Sequence, residues 1–597
     1  MHFPYPRRPL RCRPALALVL SWVCAAQAIL AQGQAVDALP DDRQSAKEHA
    51  DATSLTARTD RLFAAWDKPG SPGGALAVVQ DGKVVYRRGY GTANLEYGIP
   101  ITPATIFEVA SVSKQFTAFA VQLLAQEHRL SLDDDVRKYL PELHDFGKTI
   151  TIRHLLHHTS GLRDQSNLLR LAGWRSEDVI TEQDVFNLVW RQEELNFEPG
   201  AEYLYSNTGY TLLGLIVKRI SGRSLNVFCQ ERMFQPLGMK NTHFHYNYRT
   251  IVSGRSYSYS PKPGGGFANS PLQYASVGAS GLFTTVEDLA RWDRNFGNAW
   301  VGGPEVVARM LEKGKLNNGE ELNYACGLEL GEYRGLKTVK HNGSDAGYRC
   351  SMVRFPEQRF TVIVLSNLSS FDPEAMAKKV ADLYLSDKLA PHAPALVRKP
   401  ETRTEVKVDP KVYDAYVGDY QTPEGSVVTF SVENGRLMMK FEPTGVEGRR
   451  EKIRLLPSSE TDFFLRDLSV EWSFVKGKDG TVDRVILRRD GREQAARRFR
   501  REPLTATRLA GYAGDHYSRE LGVIYTVSIR DGKVWIRHPR GEASTEESGN
   551  DAFSVDFPIG TVTFARDSNH RVNAMLVSTN GPVRNLRFAR AEIKTTP

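Results

Sequence analysis

Ser111-Val112-Ser113-Lys114 opens an apolar stretch with helical periodicity, and the fold follows from how that quartet is read. A serine and a lysine three apart stack on one face of a helix. A serine hydroxyl is a weak nucleophile until a base takes its proton. A lysine held beside it and partly desolvated can lose its own charge and act as that base. The pair points to covalent acyl transfer. Ser-x-x-Lys also arises by chance, and the chain holds a second copy, Ser473-Phe474-Val475-Lys476. That copy reads as a strand, where positions i and i+3 face opposite ways, and is taken as a decoy.

Two further motifs sit at element boundaries. Tyr205-Ser206-Asn207 follows Pro199-Gly200 and precedes an apolar helix from Thr208. A phenol beside an ammonium can be held as phenolate and shuttle a proton between Ser111 and a leaving group. The plainer reading is an N-cap by Ser206 or Asn207. His341-Asn342-Gly343 follows the strand Leu336–Lys340. A histidine at a strand end facing a cleft can bond a substrate carboxylate, and Gly343 would let a substrate backbone approach. The amide of Ser344 could then join that of Ser111 as an oxyanion hole. The plainer reading here is a turn, since Asn-Gly is a standard turn pair.

The chain has 597 residues, long enough for two to four domains, with the composition of a soluble globular protein. Half of its net charge of +8 comes from Arg7, Arg8, Arg11 and Arg13, which precede the first acid, Asp37. The remaining basic run, Arg484 to Arg501, is interleaved with Asp490 and Glu493 and reads as a solvated strand. Nucleic-acid binding therefore has no support. The arginine-rich start, the apolar run Ala15 to Ala31 and the small-residue site Ala26-Gln27-Ala28 read as a cleavable signal over residues 1–31. A periplasmic or secreted location is expected. No other apolar run is long enough to span a bilayer, so no stable membrane anchor is expected. Cys12 and Cys24 leave with the signal. Of Cys229, Cys326 and Cys350, the last two are candidates to bridge neighbouring strands.

Residues 32–53 read as a flexible leader. A hairpin is expected through Asp81-Gly82, with helices from Phe107 to about Asp288. Strand signals return at Leu322–Leu330, Val339–His341, Tyr348–Phe355 and Phe360–Ser366, before a helix at Pro373–Leu385. This defines an α+β domain over 54–388, an antiparallel sheet with a helical insertion. A Pro-rich linker follows at 389–410. Beyond it, Tyr416-Val417-Gly418-Asp419-Tyr420 recurs as Tyr512-Ala513-Gly514-Asp515-His516. The repeat marks two all-β modules of about 95 residues each, 411–502 and 503–597, sized for small barrels.

The order Ser-x-x-Lys, Tyr-x-Asn, His-x-Gly resembles the serine β-lactamase and penicillin-binding-protein superfamily. The branch resembled is the class C-like one, in which Tyr-x-Asn replaces Ser-Asp-Asn. Phe107-Glu108-Val109-Ala110, the run Leu155 to Leu162 and Gly278-Ala279-Ser280-Gly281-Leu282 are similar to the family as well, so the resemblance covers about residues 55–388. It implies Ser111, Lys114 and Tyr205 as catalytic residues, with Asn207, His341, Gly343 and Ser344 on the substrate side. His341 stands where β-lactamases carry lysine, a pattern similar to D-aminopeptidases and family esterases. Two lipocalin-like barrels after the catalytic domain resemble the D-aminopeptidase architecture.

The expected function is an exported serine hydrolase that forms an acyl-enzyme. Its substrate would be a small peptide, which the cell wall would supply, a D-amino-acid amide or an ester. A carboxylesterase, a weak β-lactamase and a catalytically retired binding protein are the alternatives. No metal or cofactor is expected. His154, His157 and His158 have helical ligand spacing but lack the carboxylate of a zinc motif, and they read as structural. There is no Gly-x-Ser-x-Gly elbow, and Gly264-Gly265-Gly266 lacks the Lys-Ser/Thr of a phosphate loop. The oligomeric state is not legible.

Overall fold

The computed structural model describes residues 55–591 except 176, 392–404, 423–426, 443–451, 466–467, 478–479, 490–491 and 580. The expected signal and leader (1–53) and most of the expected linker lie outside the described residues.

Six antiparallel strands form the central sheet: β1 (Gly74–Gln80), β2 (Lys83–Tyr90), β3 (Glu329–Tyr333), β4 (Leu336–Asp345), β5 (Tyr348–Phe355) and β6 (Phe360–Ser366), in the order β3-β4-β5-β6-β1-β2. β1 and β2 meet at Asp81-Gly82, both at positive φ (54° and 74°), as the hairpin chemistry of that dipeptide requires. β1 and β6 read as unbroken apolar runs because both sheet faces are covered. On one face, Leu76, Val78, Val362 and Val364 pack against Phe63 and against Met376 and Val380 of the C-terminal helix Pro373–Tyr384. On the other, Ala75, Ala77, Ile363 and Leu365 join the core of the helical insertion.

That insertion runs between β2 and β3. Its helices include α1 (Lys114–Gln126), α2 (Gln165–Leu171), α3 (Asn207–Ser221) and α4 (Val286–Asn298). α1 is buried along almost its whole length, with Phe116 and Phe119 against Trp292 of α4.

Two expectations need correction, and one candidate pairing does not form. The stretch Leu322–Leu330 is mostly not a strand; β3 begins only at Glu329, and Gly327 lies against the backbone of α1, where a Cβ would come 2.7 Å from Gln115 N. His341-Asn342-Gly343 is not a turn, because β4 runs through it to Asp345 and the chain reverses at Ala346-Gly347. Cys326 and Cys350 are not bridged. All three described cysteines are free and buried, Cys326 against Gln122 (3.4 Å) and Cys350 against the Glu108 carbonyl (3.4 Å).

The catalytic-type domain is followed by two all-β barrels. In the first, nine strands among the described residues run from Ile453–Arg454 round to Leu456–Pro457; these edge strands are consecutive in the chain, and the sheet is nearly closed. The second is a closed barrel of eight strands, from Gly514–Ser518 to Leu586–Arg590. The repeat is visible in detail. Gly418 and Gly514 open their barrels at φ 141° and 134°, beneath the guanidiniums of Arg498 and Arg590 from the closing strands. Tyr416 stacks on Phe474 (4.2 Å) as Tyr512 stacks on Phe564 (4.5 Å). The cores differ: the first barrel has its own aromatic interior, whereas the buried side chains of the second are continuous with the catalytic-domain core. Among the described residues, no helix is long and apolar enough to cross a membrane.

The second Ser-x-x-Lys lies on a strand, Leu468–Lys476. Ser473 donates to Asp462 (2.5 Å) and accepts from Arg488 (2.6 Å), a structural use of the hydroxyl. Ser473→Ala is expected to lower unfolding free energy by about 1–2 kcal/mol. Denaturant melts and initial rates should show that loss with hydrolysis unchanged.

Candidate active site

Ser111 lies in a 3-10 turn, Ala110–Ser113, that runs directly into α1. Ala110 holds a left-handed φ of 47°, an uncommon state for a residue with a Cβ, and so turns the chain sharply just before the serine. The turn is clamped from several sides. Val109 N donates to Leu282 O (3.0 Å), Leu282 N to Ser113 Oγ (3.1 Å) and Gly281 N to the buried Glu108 carboxylate (3.1 Å). The Gly278–Leu282 loop is thereby fixed, and Thr117 of α1 donates to its Gly278 carbonyl (2.7 Å).

Lys114 is the first residue of α1 and has no solvent exposure. Its Nζ contacts three acceptors: Ser111 Oγ (3.0 Å), Asn207 Oδ1 (2.8 Å) and Ala279 O (2.8 Å). Burial pulls its pKa down to about 7, against the opposing pull of Asp164, Asp345 and Glu108. Of the three partners, only the serine hydroxyl can also donate. When the amine is neutral, two N–H bonds stay on Asn207 and Ala279, and the lone pair is left for the Ser111 proton.

Asn207 is held by a residue that sequence reasoning missed. Asp164 Oδ2 accepts from Asn207 N (2.8 Å) and Nδ2 (2.9 Å), while Oδ1 accepts from Ser166 N (3.0 Å) and Asn167 N (3.1 Å). One buried carboxylate thus caps α2 and α3 together, where both N-termini offer unpaired amides and positive dipole ends. Ser206 is positioned as the α3 N-cap but makes no side-chain cap bond. The only hint in the sequence was that Asp164 precedes a helical stretch, an ordinary capping signal.

Tyr205 lies over Lys114, with Nζ 4.9 Å from its ring centroid. Burial pushes the phenol far up, with Ser111 as a hydrogen-bond partner pulling the other way. The resting group is a neutral phenol, not the phenolate the sequence reading allowed. Behind it, the His158 ring packs at a tilt against Tyr205 (4.2 Å) and edge-on against Tyr324 (4.6 Å), and its Nδ1 accepts from Ser206 N (3.1 Å). That bond ties the Tyr-x-Asn loop to the Leu155–Leu162 motif. His154 closes a capping box with Thr151, and the described residues contain no cluster that could hold a metal ion.

His341 is buried at the same wall. It is 3% exposed, and both ring nitrogens are engaged: Nε2 with Tyr324 OH (3.1 Å) and Nδ1 with the Asn342 carbonyl (2.7 Å). Burial, with Lys114 nearby, lowers its pKa to about 3, so it stays neutral. Its ring lies 6.4 Å from that of Tyr205, and the residue does not line the cavity in front of Ser111. Gly343 also serves the protein itself, because a Cβ there would come 2.2 Å from Val109 O, in the turn that presents Ser111.

In front of these groups is a cavity of about 850 Å³, lined by Ser111, Tyr205, Asn207 and Ser344 among others. Arg540, Phe557 and Pro582 of the second barrel complete its wall.

A family model described as Beta-lactamase matches residues 59–385, and one described as a domain of unknown function (DUF3471) matches 402–501. A penicillin-binding protein of Bacillus subtilis (strain 168) is 31% identical over 71% of this chain and 94% of its own length. The chain belongs to the β-lactamase family and is a serine hydrolase of the β-lactamase and penicillin-binding-protein group. A D-aminopeptidase of Gluconobacter oxydans (strain 621H) is 29% identical over 52% of this chain, a match spanning 58% of that relative. The solved structure of the octameric penicillin-binding protein homologue from Pyrococcus abyssi shares the fold, with a TM-score of 0.51 at 24% identity over 82% of this chain and 99% of that one.

Gly343→Ala forces the Val109–Ser111 backbone to shift. A displacement near 1 Å at a nucleophile costs on the order of 10²-fold. Steady-state kinetics on a folded Gly343→Ala protein should show that loss in kcat.

Proposed function

We propose that the protein is an exported acyl-enzyme hydrolase of short peptides and D-amino-acid amides, with esters as accessory substrates. The observation that carries the mechanism is the three-acceptor seat of Lys114, in which Ser111 is the one partner able to give up a proton. Lys114 Nζ takes the Ser111 proton as Oγ attacks the substrate carbonyl carbon. The amides of Ser111 and Ser344 hold the resulting oxyanion. The carbon–nitrogen bond then breaks. Tyr205 passes its phenolic proton to the leaving amine and regains one from Lys114. Water enters, gives its proton to the same relay and attacks the acyl carbon, and Ser111 Oγ leaves reprotonated. Asn207 orients Lys114 and faces the substrate; His341 and Gly343 support the site from behind.

The third motif favours amides over lactams. His341 is neutral and engaged, and Lys340 pairs instead with Glu374 (2.7 Å) and Glu329 (3.4 Å). The motif therefore offers no cation to a carboxylate beside the scissile bond. The cavity, of about 850 Å³, has room for a short peptide and is bounded by the second barrel. Export is supported by the signal-like residues 1–31.

A fluorophosphonate should label the wild type and not Ser111→Ala, and D-alanine amides should be turned over faster than a chromogenic cephalosporin. Labelling that survives the mutation would remove Ser111 from the mechanism, and a dominant cephalosporin rate would favour a β-lactamase. The base should also be visible in pH dependence. Lys114 accepts a proton only when neutral, so kcat/KM should rise through its pKa of about 7 and level off above it. A profile flat from about pH 5 to about pH 9 would rule out this base.

A further inference from the structure

The catalytic-type lysine is joined to the second barrel by an unbroken hydrogen-bonded path. Lys114 donates to Asn207 Oδ1 (2.8 Å), Asn207 donates to Asp164 Oδ2 (2.8 and 2.9 Å), and Asp164 N donates to the Pro582 carbonyl of the barrel (3.1 Å). One residue earlier, Arg163 is fully buried, with its Nη1 2.7 Å from both carboxylate oxygens of Glu520, a barrel residue only 4% exposed. The same guanidinium donates to Glu194 O (2.8 Å) and to Arg584 O of the barrel (3.2 Å). At the far end of α2, Tyr525 OH donates to Leu171 O (2.8 Å). The segment carrying Asp164 is thus gripped by the barrel at both ends.

We propose that Glu520, acting through Arg163 and Asp164, is a positioning residue for Lys114, which makes the second barrel a structural part of the hydrolytic centre. A buried ion pair adds little net stability compared with an apolar pair of similar volume, because both charges must be desolvated. What a buried guanidinium held by a carboxylate and two carbonyls does supply is one fixed placement. Without Glu520 the buried guanidinium keeps only the more distant, half-exposed Glu194 carboxylate (3.6 Å) and is drawn toward it, and Asp164, covalently next to it, moves too. Asn207 then loses its anchor and Lys114 one of its two acceptor-only partners. Glu520 does not line the cavity, whereas Arg540, Phe557 and Pro582 do. Its loss should therefore act on turnover and not on substrate binding.

The inference rests on Lys114 serving as base to Ser111, and the test separates the two. The full-length protein is compared with Glu520→Gln and with the apolar pair Arg163→Met/Glu520→Leu on a small p-nitrophenyl ester, too short to reach the barrel, with melting followed by circular dichroism. Folded Glu520→Gln should lose on the order of 10–10²-fold in kcat with KM changed less than about threefold. The apolar pair should recover melting temperature but not kcat. Wild-type kcat in folded Glu520→Gln, or kcat restored together with melting in the apolar pair, would show Glu520 to be a stability contact only and overturn the inference. Ser111→Ala runs in parallel. Activity retained there defeats the site reading itself, whatever Glu520 shows.

Discussion

The structure is organised around one buried amine. Lys114 has no contact with water, and a charged ammonium in such a place is costly unless its protons are matched. Three acceptors meet it, from the Ser111 turn, the α3 N-terminus and the Gly278–Leu282 loop. Those segments are far apart in sequence, and the insertion is folded so that they converge. The partial compensation leaves the amine near its midpoint at neutral pH, the condition a general base needs.

Close approaches around α1 follow from that requirement. Gly327 lets the loop before β3 lie on the backbone of Lys114 and Gln115, and Gly343 lets β4 lie on Val109. The sheet acts as the rigid wall, and the Ser111 turn is pressed against it. Asp164 extends the arrangement outward: by capping two helices with one carboxylate it locks α2 to α3, and its own backbone is tied to the second barrel. The two barrels are alike in sequence pattern and unlike in use. The first keeps its aromatic core to itself, and the second merges its core with that of the catalytic domain.

Much of this was legible because it depends on local chemistry. Asp81-Gly82 specifies a hairpin wherever apolar strands flank it. The unbroken apolar runs of β1 and β6 mark strands covered on both faces, and the repeated Tyr-x-Gly-Asp marks a repeated barrel. The misreadings have a common cause. Asn342-Gly343 carries turn chemistry, yet β5 pairs alongside and the ladder continues through it, so tertiary pairing overrides local preference. His341 was placed on the substrate side by its position in the third motif, and its Tyr324 partner comes from a loop that read as a strand.

By itself, the sequence determined the fold class, the candidate nucleophile and its lysine, because a serine and lysine three apart share a helix face whatever surrounds them. It also marked Ser473 as a decoy, since the same spacing on a strand separates the two side chains. Only the tertiary structure decided which groups surround the amine and which face the cavity. Desolvation depends on everything packed within a few ångströms, and that packing joins residues as distant as Arg163 and Glu520. For the same reason only the folded chain shows Asp164 as the link between site and barrel, and His341 bonded to Tyr324.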